Sequence, residues 1–283
     1  MKIGLIGAGK VGFTLGKYLK TRGIDVAGYY SRTADHAQAA ADFTDTQRFD
    51  SVEELAGESD ALFLTVPDGE IRRVWETLPK TAVKGKIICH CSGALPSVEA
   101  FPGIQEAGAY GYSVHPLFAV SDPYRAYREL TDVFFCIEGD EARLAEVKAL
   151  LERCGNPCQV IRAEDKVLYH AAAAVASNHV VALVEQSLQM LERCGFTRES
   201  ALGALRPILL GNMAHLAQAG PVDSLTGPVE RGDVGTVEKH LKALDSEEER
   251  QLYRLLSREL VQVAEKKHPE RDYREMKEHL EGE

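Results

Sequence analysis

The chain reads as an α/β protein: a doubly wound, mostly parallel sheet domain over residues 1–162, then an all-α domain over 163–283 built around a long central helix. Three observations lead there. Short apolar runs alternate with amphipathic stretches as far as residue 161, the pattern of strands joined by crossover helices. The first run passes through closely spaced glycines straight into a helical stretch. After Ala163 the strand signals stop, and apolar residues recur at helical spacing or fill whole turns.

Ile3, Leu5 and Ile6 form the first strand, Gly7, Gly9 and Gly12 follow it as GxGxxG, and Phe13 to Thr21 is the helix beyond. Gly7 permits the tight turn, Gly9 lets the backbone approach a pyrophosphate, and Gly12 allows close packing of helix on strand. The helix N-terminus offers N–H groups and a positive dipole end to phosphates. This is a dinucleotide-binding loop of Rossmann type, with Gly7, Ala8, Gly9, Lys10, Val11 and Gly12 against the cofactor. The second strand, Ile24 to Tyr30, runs into Ser31-Arg32-Thr33. An NAD site would carry Asp or Glu there for the ribose 2′-hydroxyl. Two hydroxyls and a guanidinium suit a 2′-phosphate instead, so the expectation is NADP. Asp35 lies close enough to leave NAD open, and Ser31 or Thr33 also reads as the N-cap of a following helix.

The strand Asp60 to Val66 leads into Pro67-Asp68 and a helix through Trp75. Thr65, Val66 and Pro67 are placed beside the ribose and nicotinamide, as in related folds, and Asp68 reads as a helix cap. Lys86 to Cys91 is the next strand, ending at Ser92-Gly93-Ala94. Ala109 to His115 is another, stopped by Pro116, and Val133 to Ile137 continues the sheet. A helix over Glu141 to Cys154 and a short strand at Gln159 to Ile161 complete the domain. The central helix runs from Glu164 to Cys194 and is apolar on nearly every face, the mark of a helix buried between domains or subunits. Helices over Arg198 to Ala219, Val234 to Leu244 and Glu247 to Lys267 follow, the last opened by the capping box Ser246-x-x-Glu249. The charged residues 268–283 read as a solvated face or tail.

With 45% hydrophobic and 27% charged residues, the 283-residue chain has the balance of an ordinary globular protein. Its net charge of −10 argues against nucleic acid or an anionic membrane as partner, so an anionic substrate would need a local basic pocket. The six cysteines show no zinc spacing, and no metal site is expected even though His90, His115 and His170 could converge. Lys2 leads directly into the first strand, leaving no signal peptide, and no uninterrupted apolar run approaches the roughly 20 residues of a membrane helix. The expectation is a cytoplasmic protein.

Five motifs carry a resemblance: His90-x-Ser92-Gly93-Ala94-Leu95, Ser113-Val114-His115-Pro116-Leu117, Lys166-x-x-Tyr169-His170-Ala171-Ala172, Ser177-Asn178 and Thr226-Gly227-Pro228-x-x-Arg231-Gly232-Asp233. On these the chain resembles the β-hydroxyacid dehydrogenase-like superfamily, which includes 6-phosphogluconate, ketopantoate, pyrroline-5-carboxylate and prephenate oxidoreductases. More narrowly, it resembles a bacterial family of Rossmann-like proteins whose C-terminal domain is of unknown function. The resemblance implies an NADP-dependent oxidoreductase and a homodimer formed through the C-terminal helices, and it supplies no substrate.

Lys166 and His170, spaced i, i+4 near a helix start, share one face. By the resemblance Lys166 is the general acid for the reacting oxygen, its pKa lowered by burial, with His170 standing where related dehydrogenases carry an amide. The bland alternative is a surface lysine beside a packed histidine. Ser92 and His115 each follow a strand at the edge where open α/β sheets bind ligands. The pair is similar to prephenate dehydrogenases, where a serine orients the histidine that accepts a hydroxyl proton. Otherwise Ser92 is a turn residue and His115 an extended pre-proline residue. His90 reads as structural. Asn178, about 80° around the helix from His170, would orient a substrate carbonyl or bond a neighbouring helix. Arg231 and Asp233 would clamp substrate, or else Asp233 is an N-cap and Arg231 is exposed. The reading that gathers these is hydride transfer between nicotinamide and a small polar, acidic carbonyl or hydroxy substrate in a cleft between the domains. The alternatives are an imine reductase of pyrroline-5-carboxylate reductase type and a non-catalytic NADP-binding sensor or scaffold.

Overall fold

The computed structural model describes residues 1–281 and divides them into two compact units, Met1–Val181 and the residues from Ala182 onward. In the first unit the order is β1 (Lys2–Ile6), α1 (Lys10–Thr21), β2 (Asp25–Tyr30), α2 (Ala34–Thr44), β3 (Gln47–Arg48), α3 (Val52–Gly57) and β4 (Ala61–Leu64). There follow α4 (Asp68–Thr77), α5 (Lys80–Val83), β5 (Ile87–His90), α6 (Ser97–Ala100), β6 (Tyr110–Pro116), β7 (Phe135–Gly139), α7 (Leu144–Cys154), β8 (Cys158–Val160) and α8 (Lys166–Ala176). The strands make one sheet in the order β3-β2-β1-β4-β5-β6-β7-β8. All neighbours from β3 to β6 are parallel, β7 runs antiparallel to β6, and β8 is parallel to β7.

Strand side chains alternate between the two faces, and two cores result. Leu5, Phe63, Cys89, Tyr112 and Val114 face α1, α2 and α7, where Phe13, Leu19, Ala40 and Leu150 close the layer. Ile6, Leu62, Leu64 and Ile88 face α3 and α4, packed by Leu55, Ile71, Trp75 and Phe101. Near-continuous apolar strands such as Ala61-Leu62-Phe63-Leu64 are what a sheet covered on both faces needs. Trp75 is fully buried and its indole N–H donates to the Pro102 carbonyl at 2.8 Å, so truncation to Ala costs about 3–5 kcal/mol. The register aligns Ile6, Leu64, His90 and Ser113 in one row. The residues that follow this row, from Gly7, Thr65, Cys91 and Val114 onward, therefore emerge together along one edge of the sheet.

The helices differ from the sequence expectation in ways that have physical causes. The expected single helix over 164–194 is broken at Ser177, whose φ and ψ of −123° and −71° are not helical, into α8 and α9 (Asn178–Arg193). The Ser177 hydroxyl donates to the Ala173 carbonyl at 2.7 Å, a competing bond that bends helices. Nor is this stretch buried on all sides: Val167, Leu168, Val175 and Val181 are exposed, and the buried residue of α8 is Lys166. An 18-residue window within Ala163–Arg193 has mean hydropathy 1.5, enough by length and composition alone to cross a membrane, although Ser177, Asn178 and His179 interrupt its apolar run. The first turn of α8 is docked on the sheet through Lys166. The expected domain boundary at 162 marks where strands stop, whereas the compact units part at 181 because α8 packs with the sheet domain.

The second unit continues with α10 (Arg198–Ser224), α11 (Pro228–Arg231), α12 (Val234–Ala243), α13 (Glu247–Lys267) and α14 (Arg274–Glu281). Thr197 and Ser246 cap α10 and α13 through their side chains, and α10 kinks at Gly220, where φ is +79°. Its core gathers Val229, Val237, Leu241, Val261 and Ala264 with Tyr273, Met276 and Leu280. Of the two readings of this charged end, face or tail, those last three favour a face: Tyr273, Met276 and Leu280 are buried while the residues between them are exposed. The segment is charged overall, but Met276 and Leu280 fall on one stripe of α14 and Tyr273 just precedes it. Residues 282 and 283 lie outside the described part.

Candidate active site

The glycine loop is built as its spacing requires. Gly7 has φ +109°, open to glycine, and a Cβ there would lie 2.7 Å from the Thr65 carbonyl. A Cβ on Gly12 would strike the Gly7 carbonyl, so α1 packs on β1 without room for a methyl. At Gly9 the opposite holds, with open space where a Cβ would stand. Gly9 is the N-cap of α1 and offers no capping side chain, so the helix N-terminus is left to a ligand. A cavity of about 550 Å³ opens over this loop. It is lined by Gly7, Ala8 and Gly9, by Ser31, Arg32 and Thr33 from the end of β2, and by Thr65, Val66 and Pro67 after β4. The expected cofactor residues thus converge, apart from Lys10, Val11 and Gly12, which lie in the first turn of α1 and are not part of the lining. Thr33 takes the N-cap position of α2, yet its side chain makes no capping bond among the described residues. Glu70, Arg73 and His36 also line the cavity and carried no signal in the sequence. A glycine cradle, an unfilled helix N-terminus and a basic far wall fit a dinucleotide carrying a 2′-phosphate.

A second constellation stands beside the first. Pro67 lines the cavity, and the carboxylate of its neighbour Asp68 accepts a hydrogen bond from Ser92 Oγ at 2.6 Å. Asp68, read from the sequence as only a cap, therefore ties the cavity wall to the end of β5. Ser92 is buried, its N–H donates to His90 Nδ1 at 3.1 Å, and its Oγ accepts from Leu95 N–H at 3.1 Å. Lys166 reaches in from the start of α8. Its Nζ donates to Ser113 Oγ at 2.5 Å and to the Ser92 carbonyl at 3.1 Å. Tyr169, one turn on, hydrogen-bonds His115 Nδ1 at 2.7 Å. His115 Nε2 and His170 flank Gly93: a Cβ there would lie 3.0 Å from the one and 2.5 Å from His170 Cδ2. Ser92, His115, Lys166 and His170 are thus brought together.

Their environments differ, and so do their possible roles. Lys166 is 0% exposed, and both its partners are protein groups. Burial lowers its pKa, opposed by the negative charges of Glu138 and Asp68. The ammonium is thus enclosed, held by Ser113 Oγ and the Ser92 carbonyl. His115 is only partly buried, and its pKa falls to about 4, by burial first and then by the positive charges of Lys166 and His170. Its imidazole is neutral at pH 7 and available for proton exchange. His170 is exposed beside it. His90 is structural, as expected: it is 0% exposed, and burial drives its pKa to about 3.

Asn178 is exposed, and its side-chain oxygen accepts from Ser177 Oγ at 3.2 Å. In the second unit, Asp233 is the N-cap of α12: its carboxylate accepts from Thr236 N–H at 3.0 Å and Thr236 Oγ1 at 2.7 Å. The capping alternative for Asp233 is the one realised, and Arg231 is exposed. Tyr169 and Ser113 were in the quoted motifs without a role. Tyr169 was within reach of the same argument as His170, since i, i+3 also shares a helix face.

The comparisons agree with this architecture. Residues 1–116 match the Rossmann-like domain, and residues 133–260 match the Domain of unknown function (DUF2520). Protein TM1727 of Thermotoga maritima is similar at 28% identity and TM-score 0.74, over 94% of this chain and 99% of that one. The imine reductase of Streptomyces aurantiacus is similar at 18% identity and TM-score 0.66, over 93% and 96%. Pyrroline carboxylate reductase of Plasmodium falciparum, solved with NADP bound, is similar at 16% identity and TM-score 0.61, over 94% and 97%. These last two likenesses are of fold. No curated protein matches the sequence. The chain is thus similar to a Rossmann-like domain over its first part and to the DUF2520 domain over its second.

Proposed function

We propose that the protein is an NADP(H)-dependent oxidoreductase acting on a small polar substrate that carries an acid group. The observation that carries the reading is the Asp68–Ser92 bond, which ties the wall of a glycine-loop cavity that also holds Arg32 to the strand end where neutral His115 flanks Gly93. NADP supplies or accepts hydride when bound. Gly7 to Gly12 hold its pyrophosphate, Ser31 to Thr33 its 2′-phosphate, and Thr65 to Pro67 flank the nicotinamide end. His115 takes the proton of the substrate hydroxyl or amine as hydride leaves and returns it in the reverse direction. In that role Nδ1–H donates to Tyr169 and Nε2 accepts. Ser92 and His170 position the substrate, and Lys166 acts without touching it, tying Ser92 to Ser113 and keeping His115 neutral. Asn178 is a further substrate contact in this reading.

One observation favours C=N over C=O as the reduced bond. An imine needs no lysine at the reacting atom, and Lys166 is enclosed. A homodimer belongs to the same proposal, supported by exposed Ile208, Leu210, Met213 and Leu216 on α10 and exposed Leu168 and Val175 on α8.

The test is label transfer from 4-deuterated NADPH to a panel of 2-oxo acids and cyclic imines, with His115→Asn and Lys166→Met alongside. Transfer that falls about 10²–10⁴-fold in His115→Asn supports the reading. Cofactor binding without transfer to any substrate leaves a sensor or scaffold, and absence of binding overturns the proposal at its base.

A further inference from the structure

The cavity over the glycine loop has a second basic wall that no motif announced. α4 starts directly after β4 and presents Glu70, Arg73, Val74 and Thr77 to the cavity, the i, i+3, i+4, i+7 stripe of one helix face. Opposite them stands Arg32, at the end of β2. The Glu70 carboxylate lies between the two guanidinia, 3.4 Å from Arg32 Nη1 and 3.9 Å from Arg73 Nη1. Arg32 and Arg73 are 79% and 73% exposed, whereas Glu70 is 31% exposed. Two arginines from separate elements thus meet at one carboxylate, at the mouth of a cavity, in a chain whose net charge is −10.

We propose that Arg32 and Arg73 together form the subsite for the cofactor's 2′-phosphate, and that Glu70 is a built-in counter-ion which the phosphate displaces. The inference rests on the dinucleotide reading and deepens it. Two guanidinia facing one ligand repel each other, and a carboxylate between them relieves this in the free protein. A phosphate monoester carries about −1.5 to −2 at pH 7 and three acceptor oxygens, against one charge and two oxygens for Glu70. Planar guanidinia bind such a group bidentately, so the phosphate is the stronger partner for the same pair. A cofactor without the 2′-phosphate has nothing to displace Glu70, and the arginines stay engaged with it. The discrimination between NADP and NAD then resides in three side chains, two of them on a helix after β4 rather than on the β2 loop.

The experiment is calorimetric titration of the full-length protein with 2′,5′-ADP, 5′-AMP and NADPH, for wild type, Arg73→Ala and Glu70→Gln. Expected is a wild-type preference for 2′,5′-ADP over 5′-AMP that shrinks about tenfold in Arg73→Ala, the loss of one charge-assisted contact, while 5′-AMP binds as before. Glu70→Gln removes the competing charge and widens the preference. An unchanged preference in Arg73→Ala, or a narrowed one in Glu70→Gln, overturns the subsite while NADPH still binds. Wild type that binds none of the three overturns the dinucleotide reading itself.

Discussion

Replacing His90 by Asn separates the titration of a buried ring from its packing. His90 is 0% exposed at the end of β5, its Nδ1 accepts from Ser92 N–H, and among the described residues its Nε2 has no partner. Burial brings its pKa from 6.5 to about 3, helped by the charges of Lys166 and His115. Between those two values the unfolded chain binds a proton that the folded protein refuses, so stability falls as pH falls through this window. At about 1.36 kcal/mol per pH unit, the loss reaches about 3 kcal/mol by pH 4 and approaches 5 kcal/mol below pH 3. Asn keeps an acceptor for Ser92 N–H and does not titrate, but it gives up the ring contact with Phe101, whose centroid lies 5.4 Å away. That contact loss costs about 1–3 kcal/mol at neutral pH. Urea unfolding at steps from pH 8 to pH 4.5 should show wild type ahead when neutral and its lead shrinking toward zero in acid. Two stability curves that stay parallel would refute the account of His90 as a buried neutral ring.

Three further outcomes follow from named contacts. Gly12→Ala should cost at least about 3 kcal/mol in a thermal melt, because its methyl would strike the Gly7 carbonyl and lie 2.5 Å from Thr65 Oγ1, with backbone on one side unable to yield. A shift of less than a degree would mean α1 can lift from β1 freely. Tyr169→Phe removes the partner of His115 Nδ1, and its rate–pH profile should change shape while the melting temperature barely moves. A profile that only scales down would mean Tyr169 has no influence on His115. Lys166→Met leaves Ser113 Oγ donating to the Ser92 carbonyl at 3.0 Å. The lowered lysine pKa makes wild type gain stability as pH rises toward 10.5, where the unfolded chain still holds the proton, and the variant should lack that slope. Equal slopes in alkaline urea titrations would show that Lys166 titrates normally.

Some of this protein was legible in its residues because the governing interactions are local. Gly7, Gly9 and Gly12 act within one turn of chain, so their spacing alone implied strand, phosphate loop and helix. The short run from Lys86 to Cys91, closed by Ser92-Gly93-Ala94, placed Ser92 at a strand end, and Ser31-Arg32-Thr33 named the cofactor's far pole. Other features came from folding segments distant in sequence onto one another. Lys166 and Ser113 are neighbours only because α8 lies over β6, and that meeting, not the i, i+4 spacing, decides which groups hold the buried ammonium. Arg73 meets Glu70 on its own helix, but only the placement of β2 beside β1 sets Arg32 opposite them. Residues 268–283 looked solvated because their charge outnumbers their apolar groups. Tyr273, Met276 and Leu280 needed α12 and α13 as a surface before their stripe meant anything. Periodicity and glycine spacing report on bonds within a turn or a strand. Desolvation and charge pairing depend on which turns and strands meet, and for Lys166, His115 and Glu70 that meeting decides the chemistry.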